Sequence, residues 1–383
     1  MLKLRQATVV QAEPWSGGAQ APEQHLMVRL ADGGEPRPAV VDVGLLGCAE
    51  GGDEVIVNVQ ALDLGLGSGG FDVVHVNLTR GLSADPSGGA SVMKLNYTSL
   101  QHAVTPVEDG QLSLPLERPA AVLALHGQLA ALAWAFAQAE PGAKLGYVQT
   151  EGGALAGGHS RTVRALRERG LLAGHVTAGP AFGGEAEAIT TAGALHHGFR
   201  KLGWDAAVCG PGPGIIGSGS ALGHGGMAAL DSAHVALALG CPTLLVARMS
   251  SGDQRERHRG FSHHTLTVLD MLLEPVTVAL PAGMRSPVGA DLRTGLGAVF
   301  GGSMPSRPAL ALEVERPARI TRHDWRRAPV DLPAFAESGL PADSMGRGLA
   351  QDPVFFAASL AAGTVLAQLG QEQMAGERAG EAR

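Results

Sequence analysis

The sequence is poor in aromatic residues, with 4 Trp, 2 Tyr and 9 Phe, and it contains only 3 cysteines in 383 residues. Cys48, Cys209 and Cys241 form an odd set without CxxC spacing, which argues against a disulfide framework or a zinc ribbon. They read as small buried hydrophobes in a reducing compartment. No Lys/Arg cluster extends beyond the run Arg255–Arg259 and the net charge is −7, so broad phosphate neutralisation, and with it a nucleic-acid partner, is not expected. Residues 1–6 lack the apolar core of a signal peptide. One run, 120–139, is apolar and about as long as a bilayer crossing. However, His126-Gly127-Gln128 breaks it and Pro119 precedes it, so a strand, a turn and a helix account for it better. The expectation is a cytoplasmic protein with no membrane span. Internal repeats are absent, and so is a G-x-S-x-G elbow, which makes nucleophilic acyl transfer a poor candidate, with Thr150 and Ser250 the hydroxyls still open to that role.

What is abundant is glycine, 55 residues, within a 45% apolar composition, as in an α/β protein with many tight turns. The length suits two domains. Short apolar runs at 8–10, 25–30, 39–43 and 54–59, punctuated by Gly, Pro and Asp, predict a small barrel-like β domain over 1–100. Gly65–Gly70 fits G-x-G-x-x-G, but a strand rather than a helix follows it, so it reads as a flexible connection. Residues 85–89 form a further turn, and 93–111 read as the link. From Pro119 the rhythm becomes strand, glycine turn, helix. Strands are expected at 120–125, 144–150, 175–178, 206–209, 243–247 and 276–280, and helices near 129–138, 160–169, 186–201, 226–239 and 262–273. This alternation predicts a doubly wound, mostly parallel, three-layer α/β domain over 112–370. Residues 310–315 and 319–321 read as further strands and 323–327 as a charged turn. A helix over 353–369 starts at the Asp352-Pro353 cap pair, before a flexible tail at 371–383.

In open parallel sheets ligands bind beyond the carboxyl ends of the strands, where strand order reverses. His126-Gly-Gln128 leaves the first such end, Thr150-Glu151 the second, 177–185 the third and the glycine loop 210–220 the fourth. The fifth is Arg248–His264, a stretch dense in Asp, Arg and His that has no packing purpose, because such groups cost several kcal/mol to bury unpaired. It is either a solvated, salt-bridged loop or a site.

Several stretches resemble a known family. Met93-Lys-Leu, 177–185, the Gly-Pro-Gly-Ile-Ile-Gly-Ser-Gly segment, 255–265 and Ser344-Met-Gly-Arg-Gly-Leu349 are similar to a bacterial family catalogued only as Domain of Unknown Function 3866. That resemblance implies a bacterial cytoplasmic protein and carries no activity.

The glycine loop with Gly212, Gly214, Gly217 and Ser218 meets the strand-then-helix condition for cradling an anion. Pro213 removes one donor, and Asp231 falls inside the next helix, so a nicotinamide cofactor is not favoured. His263 and His264 should open a helix capped by Ser262, with side chains about 100° apart, which argues against both ligating one ion. Asp253, His258 and His263 with Glu151 would make a mixed N/O site for a divalent metal: zinc, manganese or iron. In that reading Asp253, His258, His263 and Glu185 carry catalysis, while His126, Arg255, Arg257 and Arg347 join the glycine loop in holding the ligand. Arg347 equally suits a helix cap or a subunit bridge. The expectation is a metal-assisted hydrolase acting on a small molecule that bears phosphate or carboxylate. The alternative is a small-ligand or nucleotide binding or sensing protein without turnover, and the third is an assembly scaffold. A homo-oligomer is also compatible.

Overall fold

The computed structural model describes residues 2–15, 23–65, 70–82, 90–108, 110–153, 156–283 and 317–381. The chain divides into two compact units, one of 1–106 with 156–159 and one of 107–155 with 160–383. The boundary falls inside the expected link, although part of that link is itself a hairpin.

The first unit is a closed five-stranded barrel, β1 (Leu4–Ala12), β2 (Glu23–Leu30), β3 (Arg37–Asp42), β4 (Glu54–Asn58) and β5 (Asp72–Asn77), in the order β1-β2-β3-β5-β4. Two single-turn helices, α1 (Val43–Leu46) and α2 (Gln60–Asp63), join its strands. Alternate residues such as Val55 and Val57 point into the barrel and are buried, as a period of two requires. β6 (Val92–Lys94) and β7 (His102–Val104) pair as the hairpin beyond it. Two expected features, the centre of Gly65–Gly70 and the turn at 85–89, lie outside the described residues, as does the expected strand at 310–315.

In the second unit the expected rhythm holds: β8 (Ala120–Val122), α3 (Leu129–Ala139), β9 (Leu145–Thr150), α4 (Arg161–Glu168), β10 (Gly174–Ala178), β11 (Ala186–Ala188), α5 (Thr191–Arg200), β12 (Ala206–Pro211), α6 (Ala228–Ala238) and β13 (Thr243–Leu245). A small ladder of β14 (Met249–Ser250) and β15 (Gly260–Phe261) precedes α7 (His263–Met271) and β16 (Thr277–Pro281). The chain continues through α8 (Pro317–Thr321), β17 (Asp324–Ala328), α9 (Leu332–Glu337), the hairpin β18 (Asp343–Ser344) and β19 (Arg347–Gly348), and α10 (Pro353–Glu381).

Eight strands form one parallel sheet in the order β11-β10-β9-β12-β8-β13-β16-β17. The pleat sends Ala120, Val122 and Ala124 into a core shared with α5, α6 and α7, and Ala121, Leu123 and Leu125 into a second core shared with α3, α4 and α10. Helices therefore cover both faces. From β8 the chain winds outward one way to β11, returns to insert β12 between β9 and β8, and then winds the other way through β13 and β16. The reversal places the carboxyl ends of β9, β12, β8 and β13 side by side.

The expected helix at 186–201 starts only at Thr191, because 186–188 pairs with β10 as an edge strand. Glu187 pins that segment by accepting from Thr177 Oγ1 at 2.7 Å and from Gly183 N at 2.7 Å, and Thr190 caps the helix. Residues 319–321 are helical, and the charged 323–327 stretch supplies an edge strand, where charge is tolerated because one side faces solvent. Where the sequence suggested a flexible tail, α10 runs on to Glu381, tied by Arg326 Nη1 to Glu372 Oε1 at 2.6 Å. Among the described residues α10 is the one helix long and apolar enough to span a bilayer over 353–376, and 78% of its most apolar window is buried inside the fold. Cys209 and Cys241 are free and buried, with burial pushing the Cys241 thiol up to about 12.

Trp204 is 2% exposed and its indole fills the space left by Gly198 of α5 and Gly146 of β9. A Cβ on Gly198 would come within 2.2 Å of the ring. Gly198→Ala is expected to cost about 1–3 kcal/mol by overpacking, read as a lower urea midpoint with unchanged slope. A midpoint equal to the parent's would show that the indole is not wedged.

Candidate functional site

The polar stretch after β13 is a closed excursion. Met249 pairs with Phe261 and Ser250 with Gly260, so 251–259 is a loop rooted on a two-rung ladder. Thr265 Oγ1 accepts from Arg248 N at 2.8 Å and the backbone of Arg248 accepts from Ser262 N at 2.9 Å, which locks the loop to the start of α7.

Two carboxylates organise this loop. Asp253 is 1% exposed and accepts from Arg255 at N (3.0 Å), Nε (2.9 Å) and Nη2 (2.8 Å) and from Arg347 Nη2 at 3.1 Å, with Arg248 Nη2 3.6 Å away. Burial works against its charge, but the hydrogen bonds from Arg255 and the charges of Arg255 and Arg347 outweigh it and hold the carboxyl well below the usual range. Asp352 accepts from Ser250 Oγ at 2.5 Å, Ser251 N at 2.8 Å, Gly252 N at 3.2 Å and Arg347 Nε at 3.2 Å. The expected cap residue of α10 thus spends its carboxylate on this loop, and Arg347 bridges both acids. Arg347 and Arg255 are therefore structural partners of Asp253, and Asp253 has no oxygen left for a metal.

Beside this network stand four imidazoles. His258 lies on a single turn of 3-10 helix, Glu256–His258, and His263 and His264 form the first turn of α7, whose cap Ser262 Oγ accepts from His264 N at 3.2 Å. His224 reaches in from the β12–α6 loop and stacks on His264, with ring centroids 3.3 Å apart and planes at 15°. One ligand atom each of His258, His263 and His264 lies within 4.8 Å of the others. The expected divergence of His263 and His264 is thus overcome, their ring centroids being 4.2 Å apart.

Burial, with the charges of Arg248 and Arg255, lowers His258 to about 3, and burial with His224 and Arg257 lowers His263 to about 4. His264 is driven lower by burial, His224 and Arg248, and burial also lowers His224. All four are neutral at pH 7. Their partners then fix where the protons sit. Arg248 Nη1 lies 2.9 Å from His264 Nδ1 and can only donate, so His264 carries its hydrogen on Nε2. Ser262 Oγ accepts from His264 N and also lies 2.8 Å from His258 Nδ1. His224 Nε2 faces the Ala221 carbonyl at 2.9 Å, leaving Nδ1 bare. Buried and without a hydrogen-bond partner are His224 Nδ1, His263 Nε2, His264 Nε2 and Arg257 Nε.

A cavity of about 620 Å³ adjoins His224, lined by Gly152, Gly153, Gly214, Ile216, Gly217, Ser218, Gly223 and Gly225. It lies between the loops that leave β9 and β12, neighbours at the winding reversal. Gly212 sits behind the wall, where a Cβ would meet the Gln149 side chain at 2.3 Å. Gly152 has φ +102° and a Cβ there would meet Gly225 O at 2.7 Å, while one on Gly225 would meet Gly152 O at 2.5 Å. These glycines are required for the two loops to approach.

Other expected site residues lie apart. Glu185 accepts from Arg167 Nε at 2.6 Å and from His175 N at 3.2 Å beside β10, four strand spacings or about 19 Å from β13. Glu151 is exposed and lines a separate cavity of about 150 Å³ with Thr150, Thr191, Asp231 and Ser232. His126 is held between Ser160 Oγ at 2.7 Å and the Tyr147 hydroxyl at 3.2 Å, and burial lowers it to about 4. Tyr147 lies 3.0 Å from Pro211 O and 3.1 Å from Gly210 O, acceptors only, so His126 is an internal strut. Two residues of the site escaped the sequence reading. His224 lies four positions beyond Ser220, where the inspected loop ended, and Asp352 was assigned to its own helix.

A family model described as a protein of unknown function (DUF3866) matches residues 39–363. No curated protein and no solved structure matches the chain.

Proposed function

The chain belongs to the DUF3866 family, and because that description assigns no chemistry we propose from the geometry that it binds a small molecule carrying an oxyanion, with the head group among His258, His263, His264 and Arg257. The observation that carries this reading is the pair of buried, unpartnered donors His264 Nε2 and Arg257 Nε. An unmade buried hydrogen bond costs about 1–3 kcal/mol, which an anionic acceptor would recover. Charge points the same way. Arg248, Arg255 and Arg347 gather around Asp253 and Asp352, both acids are already hydrogen-bonded, and the charge of Arg257 acts on His263. Planar guanidinium forks suit phosphate or carboxylate.

The test is titration of the protein with inorganic phosphate and with acetate, followed by thermal unfolding. Stabilisation of about 2.7 kcal/mol is expected at a hundredfold excess over Kd, and it should fall at least tenfold in affinity in Arg257→Met and His264→Ala. No shift with either anion would overturn the reading.

A second reading, metal-assisted hydrolysis of such a molecule, is favoured by the three imidazole ligand atoms within 4.8 Å. Tetrahedral zinc with ligand bonds near 2.0–2.1 Å would draw those nitrogens to about 3.4 Å apart and lower the pKa of its water to about 7. With both neighbouring acids engaged by arginine the donor set is nitrogen alone, which suits zinc or iron better than manganese. His264 would join only by surrendering its bond from Arg248. Metal analysis of protein purified without chelator separates the readings. One ion per chain, lost in His258→Ala, supports the hydrolase, and metal-free protein stabilised by phosphate supports the binder.

A further inference from the structure

The smaller cavity, of about 150 Å³, shares no residue with the histidine cluster and opens between the ends of β9 and β10 and the starts of α5 and α6. We propose that it binds a hard divalent cation of the magnesium type, held by Glu151 and Asp231 with part of its water shell in place. This site is independent of the oxyanion reading.

Glu151 and Asp231 are exposed acids, Thr150, Thr191 and Ser232 add hydroxyls, and no lining residue is cationic. Two surface acids alone would decide nothing. The second observation is Ser232, which is 3% exposed and lines the cavity, yet among the described residues its hydroxyl has no hydrogen-bond partner. Thr150, 2% exposed, reaches the carbonyl of its own neighbour Glu151 at 3.3 Å. A hydrogen bond left unmade by a buried hydroxyl costs about 1–3 kcal/mol, which a donor inside the cavity would recover.

Charge selects a cation. An anion would meet two carboxylates, and the helix start that could receive it is already engaged. Glu108 Oε1 accepts from Ile189 N at 2.8 Å and from Thr190 N at 3.1 Å, and Thr190 Oγ1 accepts from Gly193 N at 2.9 Å. Size selects the form. Pockets for organic ligands run from about 300 to 1,000 Å³, larger than this one, whereas Mg²⁺ is bound through one or two carboxylates and keeps several waters. Glu151 and Asp231 would supply the charge, and the coordinated waters would donate to the oxygens of Ser232 and Thr150. The next residues, Gly152 and Gly153, line the larger cavity, so a cation here would also steady the loop that walls both.

The experiment is calorimetric titration of the full chain with MgCl₂. A second probe is MnCl₂, whose bound waters are read by proton relaxation as the part of the signal lost in Glu151→Gln. Glu151→Gln and Asp231→Asn are each expected to weaken Mg²⁺ binding at least about tenfold, as loss of a charged contact does. Ser232→Ala suits a helix and leaves no buried hydroxyl, so it should fold at least as stably as the parent without metal and weaken Mg²⁺ binding about threefold or more. Glu185→Gln, at an exposed acid outside the cavity, should change the affinity less than about twofold. No binding in millimolar MgCl₂ would overturn the proposal, as would parental affinity in Glu151→Gln and Asp231→Asn. Equal weakening in Glu185→Gln would show diffuse attraction to surface acids and overturn it as well. Bound Mn²⁺ without exchangeable water would overturn the hydrated form, and stabilisation by methylammonium but not by Mg²⁺ would give the cavity to an organic cation instead.

Discussion

Replacing Asp253 with alanine is expected to destabilise the protein by about 3–5 kcal/mol, the range seen when one partner of a buried charge network is removed. The cost lies in what is left behind. Arg248 has 4% of its side chain exposed and would face Arg255 and Arg347 with no carboxylate between them. Repulsion among these guanidiniums already pushes Arg248 down to about 10 even with Asp253 in place, burial being the larger cause. The effect should reach the site as well, because Arg259 Nε donates to Asp253 O at 2.8 Å and His258 sits on the same loop. Asp352→Ala should be comparably severe, since it strips acceptors from Ser250, Ser251 and Gly252 together. The double variant should cost less than the sum, because Arg347 joins both acids and can be lost only once. Urea unfolding of the three variants checks this. A loss under about 1 kcal/mol for Asp253→Ala would mean that the loop is solvated and that its ion pairs contribute as little as surface ones do.

The parallel sheet was legible because each buried strand is a short apolar run followed by a glycine turn and an amphipathic stretch. Its strand order was not. Insertion of β12 between β9 and β8 is a long-range pairing that no local pattern encodes. The edge strands β11 and β17 were misread for the opposite reason. Half in solvent, they carry Glu187, Arg326 and Arg327, which look like helix or turn residues until a neighbouring strand is present. The Arg248–His264 stretch announced a site through its density of titratable groups. Individual roles stayed hidden, because Asp253 as a metal ligand and Asp253 as an arginine partner are the same letters. Only the hydrogen bonds separate the two. His224 shows the remaining limit: a lone histidine among glycines gains meaning only when the fold stacks it on His264.

Acidification should unfold this protein from an unusually high pH. Histidine 175 is 3% exposed, and burial, with smaller contributions from His126 and Arg167, lowers it to about 3. In the unfolded chain it titrates near 6.5. The unfolded state therefore binds more protons than the folded state between those values, so the stability this residue contributes is whole above about pH 6.5 and drains away as pH falls toward the folded value. Between pH 6.5 and 4.5 that is about 2.5 kcal/mol for this one group. His126, half-buried, adds a smaller amount of the same sign, and His258 and His263 add more, discounted for their screening by solvent. The sum is a large part of the roughly 5–15 kcal/mol that holds a domain folded. The depressed carboxylate of Asp253 acts in a different window, contributing nothing to the loss until pH falls below the ordinary carboxylate range. Urea midpoints at pH 7.5, 6.5, 5.5 and 4.5 should thus drop steeply across the last three, and His175→Gln should flatten the curve by close to one proton's slope, about 1.4 kcal/mol per pH unit. A midpoint that stays level down to pH 4.5 would require these histidines to be protonated inside the fold.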